Sequence, residues 1–150
     1  MPKQFEIVQA GQADIEVVAQ LFDDYRVFYE QPSDLAAAKS FITDRVQKDD
    51  SVIYLARREG QALGFLQLYP TLSSVSMKRL WILNDLFVCE GGRQQGIGRA
   101  LIDRAKQLAI DTEAKGLILE TATDNSPAQA LYDSYGFVQD IEYYRYALTL

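Results

Sequence analysis

The residues best suited to chemistry sit in one stretch, Arg93-Gln94-Gln95-Gly96-Ile97-Gly98-Arg99, between a long apolar segment and an amphipathic one. Two glycines let a ligand approach the backbone with no Cβ in the way. The amphipathic segment is helical in period, so unpaired N–H groups and the positive end of a helix dipole face into the loop. That combination suits phosphate oxygens. Arg93 and Arg99 add charge-assisted donors. The Rossmann fingerprint would need a glycine at Leu101, and the Walker pattern would need Gly-Lys-Ser/Thr where Gly96 is followed by Ile97-Gly98. The residues alone leave two readings: a diphosphate held at a helix start, or a glycine-rich turn into a helix.

The rest of the composition narrows the chemistry. The 150 residues contain no histidine, which removes the commonest metal ligand and general base and excludes a Ser-His-Asp hydrolase. Cys89 is the single cysteine, so an internal disulfide and a Cys-based zinc cluster are excluded. Proton transfer falls to Tyr, Asp, Glu, Lys, backbone or water. Fifteen Lys and Arg stand against 21 Asp and Glu, a net charge of −6. This argues against a nucleic-acid partner and favours cationic ligands. No apolar run approaches the ~20 residues of a membrane span, and residues 1–6 lack an apolar leader core. The expectation is a cytoplasmic protein with no membrane partner.

The elements that must position the loop alternate between strand and helix, which predicts one α/β domain of α+β type over residues 1–150. Strands are expected at 4–10, 51–58, 62–69, 77–88, 117–121, 137–140 and 142–148. Pro70 ends the third of these, and 71–76 is turn-like. Helices are expected at 12–29, 34–48, 96–113 and 126–135. Ser33 is placed as the cap of the second helix. A Ser126…Gln129 capping box and Pro127 mark the start of the fourth, and Gly136 its left-handed end.

With these elements in place, the chain resembles the GNAT superfamily of acyl-CoA-dependent N-acyltransferases. The loop Arg93-Gln94-Gln95-Gly96-Ile97-Gly98 matches the family's Arg/Gln-x-x-Gly-x-Gly/Ala signature. Asn84-Asp85-Leu86-Phe87-Val88 looks like the strand before that signature. The run from Asn125 through Ala128, Leu131-Tyr132 and Gly136-Phe137 looks like its Asn-x-x-Ala…Leu-Tyr…Gly-Phe block. The likeness is good over roughly residues 50–140.

The resemblance implies a mixed central sheet of about six to seven strands flanked by about four helices, with a splayed strand pair that admits CoA. It implies acetyl-CoA as co-substrate and no metal. The pyrophosphate would rest on Gln94, Gln95, Gly96, Ile97, Gly98 and Arg99, with Arg93 beside it. The pantetheine arm would lie along Leu86, Phe87 and Val88, and a free N–H at Phe87 or Val88 would serve the thioester oxygen. Asn125 matches the family's pantetheine contact; the alternative reading is a helix-capping or turn residue. Tyr132 matches the general acid that protonates the departing thiolate, with Tyr135 a packing residue. The family's reaction is direct attack by an amine, and Cys89 is read as an incidental small residue rather than a nucleophile. Many relatives carry a carboxylate where this chain has Asn84. Asp85 is therefore the first candidate for the base and Glu120 the second, with a water chain as the remaining route.

The acceptor side is expected from Tyr25, Arg26, Tyr29, Glu30 and Asp34, with Tyr69, Ser73 and Trp81 closing the other wall. Aromatics with carboxylates suit a cation. The resemblance thus points to a small-molecule amine, polyamine-like or, through Arg26, amino-acid-like. A protein lysine or N-terminus, and a CoA-binding module without turnover, are the rival readings. The aromatic run Tyr143-Tyr144-Arg145-Tyr146-Ala147-Leu148 is expected to pair across a homodimer, since an exposed strand is otherwise a liability.

Overall fold

In the computed structural model, which describes residues 4–150, the chain divides into two units, Met1–Glu120 and Thr121–Leu150. Residues 1–3, part of the stretch expected to lack an apolar leader core, lie outside the described residues. The first unit runs β1 (Glu6–Gln9), α1 (Ile15–Phe28), α2 (Leu35–Lys48), β2 (Val52–Arg58), β3 (Gln61–Ser73), β4 (Lys78–Val88), α3 (Ile97–Asp111) and β5 (Leu117–Ile118), with short 3₁₀ turns at Gln12–Asp14 and Glu90–Gly92. The second holds α4 (Ser126–Tyr135). This is a mixed α+β fold.

The five strands follow chain order across one sheet, and every pairing is antiparallel except β4 with β5. Glu59-Gly60, with φ of 49° and 82°, makes the tight turn between β2 and β3, the left-handed pair that two-residue hairpins require. Strand alternation then sorts the side chains. Ile53, Leu55 and Phe65 pack against Ile15, Val18 and Leu21 of α1 and Ile42 of α2. On the opposite face α3 presents Ile97, Leu101, Ile102 and Ala105, all buried, and packs against β2, β3 and β4. Each fully buried side chain of this size contributes about 1.5–3 kcal/mol.

Two irregularities shape the end of β4. Gln67 faces Asp85 while Leu68 faces Leu83, so Asn84 is an extra residue, a bulge. A Cβ added at Gly64 would stand 2.7 Å from the Phe87 carbonyl oxygen. Only glycine lets the two backbones come this close.

The structure corrects several expectations. β3 runs through Pro70 to Ser73 rather than ending at Tyr69. Trp81, opposite Pro70, sends its N–H to the Gly116 carbonyl at 3.2 Å, so the β3–β4 ladder never needs the N–H that proline lacks. Asp34, not Ser33, caps α2: its side chain accepts from the Ala37 N–H at 3.1 Å. Ser33 instead donates to Asp23 at 2.6 Å, and the Asp34 N–H donates to the same carboxylate at 2.8 Å. These two bonds hold Asp23 below its ordinary pKa and tie the end of α1 to the start of α2.

In Thr121–Leu150, Asn125 caps α4 by accepting from the Ala128 N–H at 3.3 Å. Gln129 does not complete a box with Ser126; its side-chain amide donates to the Ala122 and Thr123 carbonyls. Gly136, at φ 116°, ends the helix, as its sequence position predicts. The strands expected at 137–140 and 142–148 are absent, which brings the sheet to five strands rather than six or seven. A strand has no stability without a ladder partner, and within Thr121–Leu150 no pairing involves these residues.

Candidate active site

β5 pairs with β4 only at Trp81 and Ile82. Beyond Ile82, β4 continues to Val88 with β3 on one edge and no strand of the described residues on the other. The two parallel strands thus part halfway along β4. Cys89 sends its N–H to the Leu63 carbonyl at 2.9 Å, toward β3. Alternate residues of an antiparallel strand point their backbone groups to opposite edges. The N–H groups of Leu86 and Val88 therefore face the open edge, and that of Phe87 faces β3. Of the two oxyanion donors expected from the sequence, the geometry leaves Val88. The Val88 carbonyl, on the same open edge, accepts from Arg93 Nε at 3.2 Å.

The loop then delivers a bare helix start. Gln94 and Gly96 both take left-handed backbone, at φ 61° and 77°. Gly96 is the N-cap of α3, without any side-chain cap, and the space where its Cβ would stand is open to 4 Å. The amides of Ile97 and Gly98 have no acceptor within the helix. Ile97 is buried and anchors the turn from below. Gln95 is held by the Gly91 carbonyl at 3.0 Å and by Arg58. Arg99 is exposed at the loop's rim. Arg93, expected as a phosphate donor, also lies 5.8 Å over the Phe28 ring, which ties the loop to the end of α1.

Asp85 lies on the bulge side of β4 and is 5% exposed. It accepts from Gln67 Nε2 at 2.8 Å, from Asn84 Nδ2 at 3.2 Å and from the Tyr25 hydroxyl. Burial pushes its carboxyl above the usual carboxylate range, and the three donors hold it part-way back. Tyr69, two residues from Gln67 on β3, is pushed up to about 12 by burial first and then by the Asp85 charge. A carboxyl raised in this way is a stronger proton acceptor than an ordinary exposed one. Glu120, the second candidate, is exposed and lies two residues beyond β5.

Of the residues expected on the acceptor side, Tyr25 and Tyr29 stand with ring centroids 5.0 Å apart at the end of α1, and the Tyr25 ring lies 6.1 Å from that of Phe87. Phe28 joins them, 6.2 Å from Phe87, and is 55% exposed. Arg26 is spent on the turn, with Nη1 3.4 Å from the Pro32 carbonyl. Glu30 is exposed at φ 63°, and Asp34 is occupied as a cap. Trp81 does not form the opposite wall. It lies on the α3 face, 4% exposed, with its indole N–H on Thr112 Oγ1 at 2.9 Å. Ser73 serves the β3–β4 turn, accepting from the Ser76 N–H at 3.3 Å. Sequence reasoning missed Gln67, Ser51 and Phe28. Gln67 did carry a signal: it is the lone polar residue in Phe65-Leu66-Gln67-Leu68-Tyr69.

Tyr132 and Asn125 belong to the second unit. Tyr132 is half-buried, 5.7 Å from the Phe137 ring, and its carbonyl accepts from Gly136 and Phe137. The Asn125 carboxamide oxygen is engaged as the cap of α4. A cavity of about 340 Å³ beside β1 and β2, lined by Glu6, Asp14, Leu55 and Arg57 among others, contains none of the sequence-predicted site residues. Among the described residues no three His, Cys, Asp or Glu side chains cluster to hold a metal, and no helix is long and apolar enough to cross a membrane.

Comparison with known proteins agrees with this geometry. The chain is 44% identical over 144 residues to the uncharacterized N-acetyltransferase YhfO of Bacillus subtilis, covering 96% of this chain and 97% of that one. It is 35% identical over 133 residues to a probable acetyltransferase of Haemophilus influenzae, covering 88% and 89%. A crystal structure of a probable acetyltransferase superposes with a TM-score of 0.91 at 41% identity, covering 97% of each chain. An aminoglycoside acetyltransferase from a soil metagenome shares the fold, with a TM-score of 0.85 at 19% identity over 99% and 98% of the two chains. The model of the acetyltransferase (GNAT) family matches residues 16–137. This chain, with its parted parallel strands and bare helix start, belongs to that family and is an acetyl-transferring enzyme.

Proposed function

We propose that the enzyme transfers the acetyl group of acetyl-CoA to a primary amine of a small molecule, by direct attack and without a covalent enzyme intermediate. The observation that carries this reading is the continuity of one strand–loop–helix: a strand end with an open edge, a left-handed glycine and an uncapped helix start. A diphosphate fits there, because Gly96 leaves open space and the amides of Ile97 and Gly98 lack intrahelical acceptors. Gln94, Gln95 and Arg99 would line it. Leu86 and Val88 would pair with the pantetheine arm through their free edge.

In the proposed reaction the neutral amine attacks the thioester carbon. The Val88 N–H supports the developing oxyanion, a contact worth about 3–4 kcal/mol when such donors are removed from other enzymes. Asp85 accepts the proton that the acceptor's ammonium gives up to become that neutral amine, and the proton the nitrogen sheds after attack passes to water. As the C–S bond breaks, Tyr132 gives its proton to the thiolate; a thiol of pKa ~8.5 needs only a mild acid. The step requires no metal. The acceptor wall is aromatic and carries a buried carboxylate behind it, which supports a cationic acceptor.

The exposed end of α1, with Phe28 and Tyr29, equally supports a peptide amine reaching the same wall. Ile141, Tyr143, Tyr144, Tyr146 and Leu148 are each at least 81% exposed, which supports a homodimer formed through that segment; a monomer by light scattering would remove it. The deciding experiment is calorimetric titration with acetyl-CoA, NAD and ATP, followed by a turnover screen of spermidine, 2-phenylethylamine, free amino acids and a lysine peptide. Selective acetyl-CoA binding with small-amine turnover is expected. Turnover of the peptide alone shifts the substrate class. Binding without any turnover leaves a CoA-binding module.

A further inference from the structure

Gln67 is fully buried in an apolar strand, and nothing in the reaction above uses it. The two ends of its amide differ in hydrogen-bonding sense, and a carboxylate only accepts. Ser51 Oγ donates to Gln67 Oε1 at 2.9 Å, which leaves Nε2 to donate to Asp85 Oδ2 at 2.8 Å. Asp85 is therefore gripped from inside the sheet. From the other side it accepts from the Tyr25 hydroxyl, and Tyr25 is only half-buried while Asp85 is 5% exposed. Asn84 is the third donor. Of the three, only the Tyr25 hydroxyl can give a proton and take another in its place; the amides of Gln67 and Asn84 do not titrate.

We propose that Tyr25 is a catalytic proton relay between the acceptor's ammonium group and Asp85, and that Gln67, oriented by Ser51, is the positioning residue that keeps Asp85 aimed at Tyr25. This rests on the reading of Asp85 as the base. One N–H bond of the ammonium breaks and its proton joins Tyr25 Oη. In the same movement the proton Tyr25 held passes to an Asp85 carboxylate oxygen. The nitrogen keeps the electron pair of the broken N–H bond as its lone pair, Tyr25 stays neutral, and an ammonium–carboxylate pair becomes two neutral groups. Tyr69 of β3 feels the Asp85 charge and remains protonated, its pKa pushed up to about 12. The charged groups beside Tyr69, Arg45 of α2 and Asp50, pair with each other at 2.9 Å.

The test is kcat/KM against pH with spermidine and 2-phenylethylamine, together with ¹³C NMR titration of the Asp85 carboxyl in the full chain. The wild type is expected to lose activity as pH falls through the Asp85 midpoint. Tyr25→Phe should lower kcat roughly 10²-fold and move the acid limb and the NMR midpoint up by about one unit, because a donor to the charged form is gone. Gln67→Leu should move both by a similar amount with a smaller loss of kcat, Gln67→Met standing in if the leucine variant does not fold. Ser51→Ala should move them less. An unmoved limb and midpoint in both the Tyr25 and Gln67 variants would overturn the relay while leaving Asp85 as base. Full turnover in Asp85→Asn, or no turnover of either amine by the wild type, would overturn the base or amine reading and this inference with it.

Discussion

The two halves of β4 are chemically different although they are one strand. Over residues 78–82 the strand has β3 on one edge and β5 with the Lys115–Gly116 backbone before it on the other, and its backbone is spent: Trp81 N–H goes to Gly116, and the Arg79 carbonyl takes Lys115 N–H at 2.7 Å. The Trp81 ring is fixed on the α3 face by Thr112. Over residues 83–88 one edge is open, a bulge re-aims the side chains, and a carboxylate is buried. Full pairing makes scaffold, whereas pairing on one side alone leaves donors for a ligand.

That contrast breaks if substitutions in the two halves behave alike. Asp85→Asn, in the open half, is expected to lower kcat by roughly 10²–10³-fold; steady-state kinetics at neutral pH checks it. Gly96→Trp, at the helix start the open half leads into, should weaken acetyl-CoA about 10²-fold by calorimetry, because the side chain fills the cradle and the backbone there is left-handed. Tyr132→Phe should cut kcat about 10-fold with acetyl-CoA affinity unchanged. Equal losses in both quantities would mean that Tyr132 only packs. Trp81→Phe, in the paired half, should cost about 1–2 kcal/mol in denaturant unfolding through the lost Thr112 bond and ring volume, with kcat within about twofold of wild type.

The smallest effect sharpens the comparison by pH. Burial raises the Asp85 pKa above its ordinary 3.8 in the fold. Between the unfolded and folded values the native state binds more protons, so stability falls as pH rises through that window. Asp85→Asn lacks this loss. The Tm difference, variant minus wild type, should therefore grow more positive as pH is raised above the ordinary carboxylate range. A flat difference would mean that Asp85 carries no strained charge.

The loop and the start of α3 were legible because their signals are local: glycines, arginines and a helical period within twenty residues. The end of α4 at Gly136 was legible for the same reason. The environment of Asp85 was not, because Gln67 and Tyr25 come from distant elements and the bulge at Asn84 decides which neighbour faces them. Trp81 was misplaced for the same reason, since only the register shows that it lies on the α3 face. The C-terminal strands failed differently. The alternation of Tyr144, Tyr146 and Leu148 is real, but a period-two pattern states only readiness to pair, and the partner is not written in the pattern. Ser33 and Asp34 are both good caps by type, and the choice was made by Asp23, which claimed the serine.

The approach of β3 to the Phe87 carbonyl at Gly64 separates what this enzyme can vary from what it must keep. A methyl group at position 64 has no room beside that oxygen, so a saturation library should accept glycine there and reject the rest. Phe28 and Tyr29, exposed on the same site, face no such limit. On the proposed reading, drift at the end of α1 changes the acceptor that descendants of this sequence take, while one position in the sheet, unable to hold even an extra carbon, stays fixed across all of them.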